Sequence, residues 1–502
     1  MPGLRNAKLD RIMGGERPRV LDLFSGAGGL SLGFKTAGFQ ITAGIELDQS
    51  AAKTLAANLF SHLPETEQNL HSKPRDIIEV DPEELLGEFG FADFEDAIDV
   101  IIGGPPCQAY TRAGRAKLRE IAQHPEAYLQ DPRGNLYLHF LYYVRELKPV
   151  AILMENVPDS LNFGGHNIAE ETCEVLNEIG YKCQYTILNS AHYGVPQLRD
   201  RMFLIAISDE IDREIRFPEP TNWIDIPAGY HNGRKSFLKH LQIKIWENSA
   251  ESGALYYLKP PQARVDLPPV VTAGEALGDI PKLNAIKLFE EGSLDHNIQS
   301  MDRVFPYPEN LEISRYAWLM RNWPGFESRK EINGHVIRRL PRDFRIFARM
   351  NSGDEYPAAL DHAISIFEEE LQRRMDLGEV IEEGTPAYEE LKRAYVPPYD
   401  PGKFPNRWRK LESNKPARTL MAHLGKDGYT HIHYDSEQAR TISPREAARL
   451  QSFPDGFNFS NSMQSAMSQI GNAVPPLLGY YLASELLGSL GQEPESNHIF
   501  RK

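Results

Sequence analysis

Short apolar runs punctuate the first two hundred residues: Arg19–Phe24 (RVLDLF), Ile41–Ile45, Val100–Ile102, Pro149–Met154 (PVAILM), Tyr185–Leu188 and Met202–Ile207 (MFLIAI). Runs with little polar alternation mark strands buried on both faces, as in a parallel sheet covered by helices. Between them, Leu136–Val144 is apolar and aromatic enough for a buried helix. The pattern predicts an α/β fold around an open sheet of buried parallel strands. From Ser208 to Ile442 the rhythm is lost. Within that stretch, Thr272 or Ala273 followed by Glu275 starts a helix that Asp279-Ile280-Pro281 stops. Lys415–Leu420 and Tyr429–Tyr434 read as strands. Ser443 caps a helix over Pro444–Leu450, with Glu446 three residues on, and a final helix spans Pro476–Leu490.

Composition narrows the class. The 502 residues suffice for two or three domains, and 41% hydrophobic with 25% charged is ordinary for a globular protein. Three cysteines, Cys107, Cys173 and Cys183, are too few for a disulfide scaffold, and no signal-like or membrane-length apolar run occurs, so a cytoplasmic protein is expected. The net charge of −15 argues against a polyanionic partner until its distribution is considered. Arg315–Arg349 holds nine Lys or Arg against three acids, and Lys392–Arg418 eight against two. A nucleic-acid surface confined to one region is compatible with the acidic total.

The candidate chemistry sits where strands end, the usual place for ligands in open α/β sheets. After the first strand comes Ser25-Gly26-Ala27-Gly28-Gly29-Leu30, a glycine turn opening a helix, with Phe24 beside it for a planar ring. Its spacing is not the dinucleotide fingerprint, and no GxxxxGK[ST] motif accompanies it. The second strand ends at Glu46-Leu47-Asp48, a carboxylate placed for ribose hydroxyls. Asp76, after the polar run Ser61–Arg75, could accept from an exocyclic amine or serve as a turn residue. Together these suggest an adenosine-containing cofactor. Gly103-Gly104-Pro105-Pro106-Cys107-Gln108 follows the third strand and positions a thiol as a nucleophile; a buried structural cysteine is the alternative. Glu155-Asn156-Val157 ends the next strand, one or two strands from Cys107. A carboxylate there would raise the thiol pKa, so Glu155 better addresses a heterocyclic nitrogen of the substrate, unless it only caps or pairs. Arg199 and Arg201 would share one side of an extended backbone, for an oxygen or an acid, or as surface ion-pair formers.

In this order the motifs resemble the DNA (cytosine-5) methyltransferase family of restriction-modification type: DLFSGAGGLSLGF at 22–34, ELD at 46–48, DI at 76–77, GGPPCQ at 103–108, RGNL at 133–136, ENV at 155–157, QLRDR at 197–201, SPREAARLQSFPDGF at 443–457 and GNAVPP at 471–476. The departures are Arg75 where glycine is commoner before DI, and Ala109-Tyr110 where Gly-Phe is commoner. The resemblance implies a Rossmann-like class I methyltransferase domain with a mostly irregular α/β target-recognition domain inserted before the C-terminal motifs. The expected divisions are 1–281, 282–410 and 411–502.

It also implies S-adenosylmethionine as cofactor and duplex DNA as substrate. Phe24, Ser25, Gly26, Gly28, Gly29 and Leu30 would line the cofactor pocket, with Glu46 and Leu47 at the ribose and Asp76 and Ile77 at the adenine. Pro105, Leu136, Asn472 and Val474 would complete it. Cys107 would be the nucleophile, Glu155 the carboxylate facing the base, Arg201 the contact to the ring oxygen and Arg199 more structural. Gln108 and the polar segment from Arg112 would close over a flipped nucleotide. Arg321, Arg329, Arg338 and Arg339 are candidates for DNA contact, while most aromatics of that region are expected in its core. No cluster with metal-ligand spacing argues for a metal. A monomer is expected, with a cognate restriction or defence system in the same cell. The competing readings are an RNA cytosine methyltransferase of the same fold, an inactive DNA-binding regulator and a dinucleotide oxidoreductase. The basic, aromatic insertion disfavours the first, the intact Cys107, Glu155 and Arg201 the second, and the glycine spacing the third.

Overall fold

The computed structural model describes residues 2–106, 136–162, 166–227, 229–230, 255–294, 300–404, 407–426, 428–459, 462–495 and 500. The chain forms two compact units, one of Met1–Val270 with Ala473–Lys502 and one of Val271–Asn472.

The first unit is built on a six-stranded sheet. The elements that build and flank it include α1 (Pro2–Met13), β1 (Arg19–Leu23), α2 (Gly29–Ala37), β2 (Gln40–Ile45), α3 (Gln49–Leu59), α4 (Glu65–His71), α5 (Pro82–Glu88), β3 (Val100–Gly103), α6 (Leu136–Leu147), β4 (Ala151–Asn156), α7 (Ile168–Glu178), β5 (Tyr181–Asn189) and β6 (Asp200–Ser208). The strand order is β2-β1-β3-β4-β6-β5, and only β6 runs against its neighbours. Every apolar run predicted as a strand is one, though β5 begins at Tyr181 rather than Tyr185. The sheet centre is fully buried, from Val20 and Ile101 to Ile152 and Leu204, because helices cover it. The C-terminal helix Pro476–Ser489 packs on α2, where an ideal Cβ at Gly33 would come 2.5 Å from the backbone of Gly479 and Tyr480.

The register matters most. Ile45 pairs with Leu23, Leu23 with Gly103, and Gly103 with Met154. The residues one step on, Glu46, Phe24, Gly104 and Glu155, therefore stand in one row along the carboxyl edge. The strand order reverses between β1 and β3, which makes this row a switch-point crevice.

In the second unit Thr272 closes a capping box with Glu275 at the start of the helix Ala273–Leu277, and Ser443 does the same with Glu446 ahead of Pro444–Leu450, both as predicted. The expected strands at 415–420 and 429–434 shrink to Ala417–Arg418 and to the single bridging residue Ile432; Tyr429–His431 is a tight helical turn. Within the turn His431 N–H donates to Gly428 O, and the hydroxyl of Tyr429 donates to Asp343 while its ring stacks on Trp408. Trp323, Trp408, Phe344 and Phe347 are core, as expected of the aromatics, and Trp318 stays exposed. Buried ion pairs add rigidity: Arg449 lies between Asp279 and Asp455, and Arg440 donates to Glu446.

Candidate active site

The loop after β1 is shaped by positive φ angles: +65° at Phe24, +54° at Gly26 and +88° at Gly28. The positive φ at 28 favours glycine, and an added Cβ there would also press on Leu55 Cδ1 at 2.5 Å, whereas at Gly26 it would meet nothing within 4 Å. The Gly26 position thus opens outward. Phe24, a bulky residue held in the left-handed region, stores backbone strain of the order of 1–2 kcal/mol. Ser25 N–H donates to Ile45 O at 3.0 Å, tying the loop to β2. Gly29 and Leu30 form the first turn of α2.

Glu46 is the hub of this end. Its Oε2 accepts from Gly26 N–H at 2.8 Å and its Oε1 from Asp48 N–H at 2.7 Å. Burial pushes its carboxyl up, and those two donors work against the shift. Each oxygen has a further lone pair for a hydroxyl. Leu47 beside it is 67% exposed. Asp76 lies in a turn between α4 and α5 rather than at a strand end: its Oδ1 accepts from Ile78 N–H at 3.0 Å, and its carbonyl from Glu79 and Val80. The polar run before it contains α4, whose His71 is buried by stacking on Phe60. Ile77 is buried, and the backbone N–H of Arg75 donates to Glu46 O at 2.7 Å, which draws this turn to the end of β2.

At the other end of the row, Gly103 has no room for a side chain, since a Cβ would fall 2.1 Å from Leu23 O. At Gly104 a Cβ would fall 2.9 Å from Oε2 of Glu155. Pro105 is buried and its carbonyl accepts from Asn156 Nδ2 at 2.7 Å. Asn156 Nδ2 also donates to the hydroxyl of Tyr137, next to Leu136 at the start of α6. Cys107, Gln108 and the segment from Arg112 to Gln130 lie outside the described residues.

Glu155 and Arg201 form an ion pair, Nε to Oε1 at 2.9 Å, with both side chains 13% exposed. Arg201 Nη1 donates to Asp200 O at 2.8 Å. That leaves Oε2 of Glu155 facing Gly104. Arg199 is buried just ahead of β6, and burial, reinforced by the charge of Arg201, pushes its guanidinium well below the ordinary value. Its carbonyl accepts from Ser190. Val474 is buried in the first unit, and Asn472 ends the helix Met463–Asn472 of the second.

The four candidate DNA arginines divide. Arg321 donates to Asp279 at 2.8 Å with its guanidinium 3.4 Å from the Tyr307 ring centroid, and Arg338 donates to Gly425 O at 3.0 Å. Arg329 and Arg339 are exposed, Arg339 over Phe289. Sequence reasoning gave no role to Asn156 or Arg75, although one stands inside the ENV motif and the other is a departure from the common pattern. It also passed over Asp22, buried at the end of β1, which accepts from Ser31 Oγ at 2.5 Å.

The profile of the C-5 cytosine-specific DNA methylases matches residues 18–264 and 325–488. A candidate type II methyltransferase of Oceanobacillus iheyensis, M.OihORF3336P, is 38% identical over 93% of this chain and 95% of its own. Type II methyltransferase M.AgeI of Thalassovita gelatinovora is 28% identical over 93% and 99%. A crystal structure described as a candidate DNA modification methyltransferase from an E. coli prophage has the same fold, with a TM-score of 0.56 at 21% identity over 95% of this chain and 100% of the other. A Rossmann-like sheet, a glycine loop and a strand-end carboxylate thus stand in a chain that belongs to the C-5 cytosine-specific DNA methylases of restriction-modification type and is a DNA (cytosine-5-)-methyltransferase.

Proposed function

We propose that this enzyme methylates carbon 5 of a cytosine flipped out of duplex DNA, through a covalent adduct on Cys107 and with S-adenosylmethionine as donor. The observation that carries the reading is the row Glu46, Phe24, Gly104, Glu155 along one sheet edge, with Arg201 locked onto Glu155. The donor-side residues fit such a cofactor: open space at Gly26, a carboxylate with spare lone pairs at Glu46 and an aromatic ring at Phe24. When bound, S-adenosylmethionine supplies an electrophilic methyl group on a sulfonium. Glu46 takes the ribose hydroxyls, and Asp76 with Ile77 the adenine edge.

Cys107 acts on the base. Its thiolate adds to carbon 6, breaking the ring's conjugation and placing electron density on carbon 5. Glu155 shares a proton with ring nitrogen 3 through Oε2, positioned assistance of a kind that contributes ~10²–10⁴-fold. Arg201 holds Oε1 and so fixes which carboxylate oxygen faces the ring; it also faces the ring oxygen. After methyl transfer the carbon 5 proton leaves to a base and Cys107 is eliminated. Target recognition falls to the basic region within the second unit, where exposed Arg329 and Arg339 are better placed for phosphates than Arg321 and Arg338, which have internal partners. The enzyme acts as a cytoplasmic monomer, protecting DNA from a cognate restriction system. Among the described residues no helix is long and apolar enough to cross a membrane.

The test is transfer of labelled methyl groups to mixed-sequence duplex DNA with base-resolution mapping, beside Cys107→Ala. Label on carbon 5 of cytosine at one recurrent site, absent in the variant, is the expected result. Label on an amino group would overturn the thiolate route, and labelled RNA with inert DNA would overturn the substrate.

A further inference from the structure

We infer that Arg75 is a positioning residue that sets the affinity for the nucleoside half of the methyl donor, by clamping the Asp76 turn against the end of β2. The inference rests on the proposed roles of Glu46 and Asp76 above. Two kinds of contact converge on Arg75. Its backbone N–H donates to the carbonyl of Glu46 at 2.7 Å, so the residue before Asp76 is tied to the residue that carries the ribose carboxylate. Its side chain, 5% exposed, donates from Nη2 to Glu88 Oε2 at 2.8 Å and from Nη1 to Lys73 O at 3.3 Å. A glycine would keep the first contact and lose the others.

The guanidinium is also the outer layer of a stack. Its carbon lies 5.3 Å from the Phe89 centroid, Phe89 is 4.7 Å from His71, and His71 lies face to face with Phe60 at 3.5 Å. Phe60 closes α3, His71 ends α4 and Phe89 caps α5, so one stack pins three helix ends around the turn. Burial, and then the charge of Arg75, pushes His71 down to about 4, so the imidazole is neutral at neutral pH and does not repel the guanidinium. On the far side of the turn the Tyr143 hydroxyl donates to Val80 O at 2.8 Å. The turn is therefore fixed at both ends, Arg75 supplying the end nearest Glu46. Ordering a loop when the ligand arrives weakens binding, and a loop already ordered avoids that cost.

The experiment measures S-adenosylhomocysteine binding by calorimetry, and steady-state methyl transfer, on the full chain and on Arg75→Ala, Arg75→Lys and Glu88→Gln. Losing one buried hydrogen-bonded charge should weaken binding about ten-fold in Arg75→Ala. KM for the donor rises in parallel, while kcat and KM for DNA hold. Glu88→Gln should weaken binding less, and Arg75→Lys should recover part of the loss. Arg75→Ala binding within about two-fold of the parent would overturn the inference, as would a fall in kcat at constant KM. Should Arg75→Ala not fold, unchanged binding in Glu88→Gln, whose carboxylate is 39% exposed, would overturn it alone. A parent chain that does not bind S-adenosylhomocysteine would instead overturn the reading of the cofactor site.

Discussion

A single added methyl group separates catalysis from folding at the carboxyl edge of the sheet. Gly104→Ala puts a carbon 2.9 Å from Oε2 of Glu155 and 3.5 Å from its carbonyl oxygen, a separation at which something has to move. The backbone at Gly104 does not carry a positive φ, so alanine is not strained there. Losing a glycine restricts the unfolded chain and stabilises by about 0.4–1 kcal/mol, which roughly offsets the crowding. What must give is the carboxylate, and Arg201 holds its other oxygen at 2.9 Å. Its displacement is on the order of 0.5 Å, and since about 1 Å at a reacting group costs on the order of 10² in rate, kcat should fall roughly ten-fold. Glu46 lies three strands away in the order β2-β1-β3-β4, so KM for the donor should not change. Steady-state methyl transfer and urea unfolding, run together, read both quantities. A kcat within about two-fold of the parent, or a fall that tracks lost stability of more than ~1 kcal/mol, would refute the assignment of Oε2 to the base.

Gly33→Ala forces a methyl against the backbone of Gly479 and Tyr480 and should cost about 1–3 kcal/mol in urea unfolding. Arg449→Leu takes the shared guanidinium from two buried carboxylates, leaving Asp279 with Arg321 and Asp455 with the Tyr307 hydroxyl, and should cost about 3 kcal/mol, with Asp455→Asn milder in the same measurement. Burial raises Asp22 to about 7, with Glu46 adding to the rise and the Ser31 hydrogen bond opposing it. Between about pH 4 and pH 7 the folded chain thus holds a proton that the unfolded chain has released, and this group's contribution to stability falls as pH rises through that window. Asp22→Asn should match the parent near pH 4 and exceed it at about pH 8 in thermal unfolding; no gap at the higher pH would refute the raised carboxyl.

The strands and their terminal residues were legible because a two-sided parallel strand has almost no polar alternation and ends abruptly at a chemically distinct residue. The capping boxes at Thr272 and Ser443 were legible because their contacts are local. Asp76 was misplaced at a strand end because α4 is short and held by the His71 stack rather than by an apolar stripe of its own. Tyr429–His431 was misread as strand because its residues suit a strand while Trp408 and Asp343 fix a turn. Arg321 had a basic neighbourhood in sequence, yet its acid, Asp279, lies 42 positions away.

Parallel register explains why so much chemistry could be read without contacts. Once Leu23 pairs with Ile45 and Gly103, and Gly103 with Met154, the next residue of each strand must join the same row, whatever lies between them in the chain. The row's side chains announce themselves as a glycine loop and two carboxylates. Asn156 and Arg75 do not, because their side chains bond groups that only the fold brings to them, the carbonyl of Pro105 for one and the carbonyl of Lys73 with the Glu88 carboxylate for the other. A sequence displays donors but not where backbone acceptors come to rest, so residues that position the site stay hidden while residues that face the ligand are conspicuous.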